Sequence, residues 1–216
     1  MKRKVYVVGT YIGYASSIYN RELVDDIDQA DIVLLTGGAD VDPSTYGKPA
    51  IPETYGYKSR DIYEVAEYKK VRKDQLVIGI CRGAQLLTVL NGGNLIQHVT
   101  NHAGGMHKMV DEMGNIFPIT SLHHQMCYPY DMPREDYEIL FKAFPARSTV
   151  YKGIDIDVDK IVAKGEPEVI VFHKETEPVA LAIQGHPEMM DEDCKTVKLF
   201  NELIDKYLKL AKNRSE

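Results

Sequence analysis

The run Val77-Ile78-Gly79-Ile80-Cys81-Arg82-Gly83-Ala84-Gln85-Leu86-Leu87 constrains this chain more than any other stretch. An apolar segment stops at a cysteine between spaced glycines, and helix-forming residues follow at once. The pattern predicts a buried strand turning sharply into a helix, with Cys81 at the corner. Gly79 and Gly83 let the strand and helix approach closely. A thiol at a helix N-terminus meets a dipole that favours the thiolate, its nucleophilic form. The elbow alone leaves a second reading open, in which Cys81 is a small buried hydrophobe.

The segments around the elbow alternate between strand and helix patterns. Val5 to Gly9 and Asp31 to Gly38 are apolar runs ending at glycine, and the second suits a strand buried on both faces. Between them, Thr10 to Asn20 reads as loop or weak helix, and Arg21 to Gln29 as one or two helical turns. Arg60 to Lys73 reads as a helix, Gly83 to Leu90 as the elbow helix, and Asn91-Gly92-Gly93 as its stop. From Asn94 to Pro133 the periodicity fades. Glu138 to Ala143 fits a strand or short helix, and Ile154 to Lys164 a strand. Glu168 to His173 and Val179 to Gln184 form an antiparallel hairpin. From Asp191 onward, Val197, Phe200, Leu203, Ile204, Tyr207, Leu208 and Ala211 mark one stripe of a helix. This alternation predicts an α/β fold with a mostly parallel central sheet between helices, plus a small antiparallel hairpin. No repeat or linker divides residues 1–216, which read as one domain.

Composition narrows the function. A net charge of −6 supplies no basic field for nucleic acid or an anionic membrane surface. No apolar stretch reaches the length of a membrane span. The three cysteines, Cys81, Cys127 and Cys194, lack paired spacing, which favours a reducing, cytoplasmic setting over a disulfide framework.

A thiol nucleophile needs a base, and the base needs an orienting group. Of the seven histidines, His186 follows an apolar strand within Gly185-His186-Pro187-Glu188. Residues two apart in extended backbone point the same way, so Glu188 can serve His186. Oxyanion donors are available at Gly37-Gly38 and at the backbone N–H of Arg82.

Together, the Cys81 elbow, His186-Pro187-Glu188 and Thr36-Gly37-Gly38 resemble class I glutamine amidotransferases. The segments 36–47, Arg60 to Glu64 and Ser121 to Gln125 narrow the resemblance to the γ-glutamyl hydrolase-like branch, the peptidase C26 type, which includes γ-glutamyl-γ-aminobutyrate hydrolases. The resemblance implies a flavodoxin-like three-layer sandwich and a Cys81–His186–Glu188 triad. It implies oxyanion donors at Gly38 and Arg82, and substrate contacts from Gly37, Gln85, His123, His124, Gln125 and Arg60. Arg60, Asp61 and Glu64 also suit an ion-pair lattice. The implied reaction is hydrolysis of a γ-glutamyl amide of a small molecule through a thioester, with no metal or organic cofactor. The alternative is a glutaminase subunit feeding ammonia to a separate synthetase partner, and a homodimer is equally open.

The chain departs from the family pattern in three places. The segment between Gly9 and Asp31 is short enough to lack a usual helix and strand. Gly185 replaces an aromatic residue, which predicts a more open pocket beside His186. His98 stands where an acidic residue is common. His98, His102 and His107, flanked by glycines and without a nearby carboxylate set, read as solvated loop.

Overall fold

Alternation of apolar side chains along three short segments sends half of each to either side of one sheet. Ile32, Leu34, Leu76, Ile78 and Ile80 join one core cluster, and Val33, Leu35 and Val77 join the other. The computed structural model describes residues 2–214. In chain order the elements are β1 (Arg3–Val8), β2 (Arg21–Leu23), β3 (Ile32–Leu35), α1 (Lys58–Tyr68), β4 (Leu76–Ile80), α2 (Arg82–Leu90), β5 (Asn94–Ile96) and β6 (His98–Val99). They continue with β7 (Ala103–Val110), β8 (Ile116–Leu122), β9 (Met126–Tyr128), β10 (Tyr137–Ala143), β11 (Tyr151–Lys152), α3 (Val158–Lys164), β12 (Glu166–Phe172), β13 (Ala180–Ile183) and α4 (Lys195–Asn213).

The main sheet runs β2-β1-β3-β4-β13-β12-β10-β7-β8. Its first five strands are parallel, and every pairing from β13 to β8 is antiparallel. Two small sheets, β5 with β9 and β6 with β11, flank it. The apolar stripe of α4, with Val197, Phe200, Ile204, Tyr207 and Ala211 buried, packs on one face. Residues of α2, with Tyr68 from α1, pack on the other. This is the expected three-layer architecture. The expected hairpin exists as β12 and β13, but both strands belong to the main sheet and mark its change from parallel to antiparallel.

Several local expectations fail for identifiable reasons. Residues 21–29 form no α-helix: Arg21–Leu23 pairs with Arg3–Val5 as β2, and only Ile27–Gln29 makes a 3-10 turn, capped by Asp26. The strand expected to be trimmed is therefore present, and the helix is reduced to a 3-10 segment at Ile12–Ser17. Residues 154–164 are not a strand. Asp157 accepts a hydrogen bond from Lys160 N and starts α3. The stretch from Asn94 to Pro133 holds five strands: β7 and β8 form an antiparallel hairpin, while β5 and β6 pair with β9 and β11 farther along the chain. Asp191, Glu192 and Asp193 precede α4 rather than open it, because Cys194 is its N-cap. Among the described residues no helix is long and apolar enough to cross a membrane.

Candidate active site

Three adjacent parallel strands, β3, β4 and β13, end at the same edge, the usual place for chemistry in an open α/β sheet. Leu35 pairs with Gly79, so Gly37 and Gly38 continue to the level of Cys81 and Arg82. Ile183 pairs with Ile80, and Ile183 O accepts from Cys81 N at 2.8 Å, which fixes the elbow against the strand that leads to His186.

Cys81 takes φ 53° and ψ −107°, a conformation a non-glycine residue seldom adopts. Strain of this kind is on the order of 1–3 kcal/mol and persists only where the surroundings enforce it. The two elbow glycines are part of that enforcement. A Cβ at Gly79 would lie 2.5 Å from the Gly83 backbone, and one at Gly83 would overlap Leu35 O. The thiol is nearly buried, as is His186.

His186 Nδ1 lies 2.7 Å from Glu188 Oε1. The imidazole also meets Cys81. Burial opposes its protonation, but hydrogen bonds to Cys81 and to Glu188 outweigh burial and push its pKa up to about 10. The ring is thus built to take and keep a proton beside the thiol. Cys127 contrasts with Cys81. Its Sγ–H donates to Gln184 Oε1 at 3.3 Å, and burial pushes the thiol up to about 12. Such a thiol is inert.

The turn after β3 is held from outside by Arg60. Its Nη2 donates to Thr36 O at 3.2 Å, Thr36 Oγ1 at 3.0 Å and Gly37 O at 3.0 Å. Gly38 has φ 145°, and a Cβ there would strike the Arg60 guanidinium. Arg60 Nε in turn donates to Glu64 Oε1 at 2.7 Å. The Arg82 side chain is fully buried and points away from the thiol, binding Asp61 and Glu64. Asp61 also accepts from Asp42 N at 2.7 Å and Thr45 Oγ1 at 3.1 Å. Arg60, Asp61, Glu64 and Arg82 therefore form a lattice beneath the turn, one of the two arrangements open from sequence.

The remaining expected substrate residues divide. Gln85 Nε2 donates to Gln125 O at 2.8 Å, and Gln125 Oε1 accepts from Val41 N at 3.1 Å, so both glutamines are buried and engaged with backbone. His124 lies at a rim, its Nε2 2.8 Å from Asp40 Oδ1 and its Nδ1 3.4 Å from His98 Nδ1. His123 turns inward, with Nδ1 2.8 Å from Gln125 O and its ring centroid 4.7 Å from that of His102, the two rings tilted by 36°.

Three sequence expectations require correction here. His102 and His107 are buried, not solvated, and face Glu166 and Glu168 from β12, a carboxylate pair distant in sequence. His98 is half-buried in β6. Gly185 opens no space beside His186. A Cβ there would overlap Ile119 and lie 2.7 Å from Thr120 O, the group that accepts from His186 N at 2.9 Å. Glycine at 185 lets β8 close onto the His186 segment.

Tyr14 escaped the sequence reading, because nothing in the 3-10 segment around it marks it out. Its hydroxyl packs over Gly37, where an added Cβ would lie 2.5 Å away, and its ring lies 6.2 Å from that of His186. Burial and the nearby Glu188 and Cys81 raise its pKa.

Comparisons with known proteins place the chain's family and fold. The chain is 29% identical over 189 residues to Rv2859c of Mycobacterium tuberculosis, named provisionally as a glutamine amidotransferase, covering 83% of this chain and 56% of that protein. It is 26% identical over 156 residues to a carbamoyl phosphate synthase small chain of Stutzerimonas stutzeri, covering 72% of this chain and 34% of that one. The chain thus spans little more than half, or less, of these curated relatives. Its fold matches a Thermoplasma acidophilum structure named provisionally as a GMP synthase subunit, with TM-score 0.62, 18% identity and coverage of 100% and 99%. It also matches a Thermotoga maritima glutamine amidotransferase structure, with TM-score 0.52, 16% identity and coverage of 98% and 90%. The Peptidase C26 family profile matches residues 16–126, which hold the Gly37-Gly38 turn, the lattice and the Cys81 elbow, and the chain belongs to the Peptidase C26 family.

Proposed function

We propose that the chain is a cysteine-dependent enzyme of the class I glutamine amidotransferase type that hydrolyses γ-glutamyl amides. The observation that carries this reading is the meeting of Cys81, His186 and Glu188 where β4 and β13 end side by side. In this reading His186 takes the Cys81 proton, and the thiolate attacks the γ-glutamyl carbonyl carbon. The backbone N–H groups of Gly38 and Arg82 donate to the oxyanion. His186 returns the proton to the departing amine, leaving a glutamyl thioester. Water then attacks the thioester with the same imidazole as base, releasing glutamate and restoring the thiol. Glu188 orients the ring and stabilises its charged form. Arg60 acts through the turn it holds, and Gln85 and Gln125 fix the floor on which the glutamyl part rests.

A second reading, a glutaminase subunit that passes ammonia to a synthetase, draws support from the similarity to a carbamoyl phosphate synthase small chain. Glutamate release by the purified chain, measured across a panel of γ-glutamyl amides and glutamine, separates the two. Turnover of γ-glutamyl amides by the chain alone is expected. Activity confined to glutamine and dependent on an added synthetase would overturn the hydrolase assignment.

A further inference from the structure

The antiparallel half of the sheet buries a second cluster of titratable groups, which the proposed reaction does not use. His102, His107, His123, Glu166 and Glu168 are all at least 95% buried. They come together because Glu166-Pro167-Glu168 places both carboxylates on one face of β12. His107 lies on β7, and His102 and His123 lie just before β7 and just after β8.

The hydrogen bonds fix which ring nitrogens carry protons. Gln125 O can only accept, so His123 Nδ1, 2.8 Å away, is the protonated nitrogen of the neutral ring. Its Nε2 is then a lone pair, buried and without a partner. His107 Nδ1 lies 3.1 Å from Lys108 O, and its Nε2 faces Glu168 Oε1 at 3.0 Å. Glu166 Oε2 lies 3.1 Å from His102 Nε2, which leaves His102 Nδ1 directed at Glu168, 3.7 Å from Oε1. Ser121 Oγ, 3.4 Å from His102 Nδ1, donates instead to His102 O at 2.8 Å. Glu168 Oε2 accepts no hydrogen bond.

His107 Nε2 is the group placed to donate to Glu168 Oε1, while Glu168 Oε2 and the inward lone pair of His123 stay buried and unpartnered, an arrangement that a cation would complete. One ligand atom each from His102, His123 and Glu168 lies within 4.8 Å of the others. Bonds of about 2.0–2.2 Å to a tetrahedral ion put such atoms roughly 3.4 Å apart, a gap small side-chain rotations close. Each histidine also has its other nitrogen on a carboxylate or carbonyl, the support that orients imidazole ligands. We propose that His102, His123 and Glu168 bind a divalent transition metal of the zinc class, with His107, whose Nε2 lies 3.0 Å from Glu168 Oε1, as the next donor. Imidazole nitrogen with one carboxylate suits Zn²⁺ and its neighbours rather than Mg²⁺ or Ca²⁺. The ion clasps β12 to the ends of β7 and β8. Those segments carry the base, since Thr120 O accepts from His186 N and Glu168 O accepts from Gln184 N at 2.8 Å. The site is structural and revises the expectation that no metal is involved.

The test uses the full chain, stripped with chelator and titrated with Zn²⁺ or Co²⁺. One equivalent is expected to bind and raise Tm, with Co²⁺ giving the visible absorption of a tetrahedral nitrogen–oxygen site. His123→Ala and Glu168→Gln should each weaken the Kd at least tenfold, while His98→Gln leaves it unchanged. If those variants do not fold, ¹⁵N-histidine spectra of the wild-type chain decide the matter. Zinc should move the His102 and His123 ring signals and leave His98 in place. Failure to bind an equivalent, or movement of His98 and His124 instead, overturns the assignment. In that case a proton on His107 neutralises Glu168.

Discussion

Glu188 Oε1 lies 2.7 Å from Nδ1 of His186, and the same imidazole meets the thiol of Cys81. A 3-10 turn over Pro187–Met189, with His186 at its N-cap, sets this contact, so the imidazole is oriented by its own local chain. Removing only the charge tests it. Glu188→Gln keeps the shape but cannot stabilise an imidazolium, and the turnover number should fall by roughly 10²- to 10⁴-fold with little change in KM. Steady-state kinetics on any γ-glutamyl amide the enzyme turns over checks this. A loss below threefold would remove Glu188 from the triad.

The raised pKa of His186 carries a pH signature. A basic group whose pKa is higher in the folded state contributes stability that is complete below its unfolded value, near 6.5, and is lost as pH rises through about 10. The wild-type protein should therefore lose stability relative to His186→Ala between about pH 6.5 and 10, as read by chemical denaturation across that range. A pH-independent difference between the two proteins would mean that His186 is not held as the cation.

The turn that carries the proposed oxyanion donor depends on glycine at position 38. A Cβ there strikes the Arg60 guanidinium, which holds the Thr36 and Gly37 carbonyls in place. Gly38→Ala should displace the donor and lower the turnover number by about 10²- to 10³-fold, the usual loss for one oxyanion donor. Arg60→Lys cannot span Thr36, Gly37 and Glu64 together, and should give a smaller loss in the same parameter. Thermal unfolding distinguishes these effects from general damage, since both variants should keep most of their stability.

How much of this was legible in advance follows the range of the interactions. The strand-to-helix elbow and the parallel strands β1, β3 and β4 are encoded by neighbours a few residues apart, and periodicity reads these elements. The hidden features depend on distant pairing. Nothing near His102 announces Glu166, 64 residues away, so a buried cluster looked like a solvated loop. Glu166 and Glu168 did leave a faint signal, as polar residues at period two in an otherwise apolar strand. Gly185 misled for a related reason: whether a missing side chain makes space depends on what fills it, and β8 fills it with Ile119 and Thr120.

Selective thiol chemistry separates the cysteines. Cys81 meets a basic imidazole, whereas Cys127 is buried, bound to Gln184 and pushed up to about 12. A glutamine-like diazo-ketone should label the native protein once, at Cys81, as mapped by peptide mass spectrometry. Cys81→Ala should abolish both labelling and turnover. Label on Cys127 or Cys194 in the native fold would contradict the assignment of the nucleophile.

The lattice beneath the turn is the last point of leverage. Arg82 is fully buried, and its guanidinium is bound by Asp61 and Glu64, each also bonded elsewhere. Arg82→Met leaves two buried carboxylates without their shared cation. Breaking such a pair by removing one member typically destabilises by about 3–5 kcal/mol. For a chain of this size that corresponds to a Tm lower by roughly 10 °C. The backbone N–H at position 82, the proposed oxyanion donor, survives the change, so at temperatures where the variant stays folded the turnover number should fall far less than in Gly38→Ala. Calorimetry and low-temperature kinetics together test the division. A large loss of turnover at unchanged Tm would mean that the Arg82 side chain itself reaches the reacting atoms.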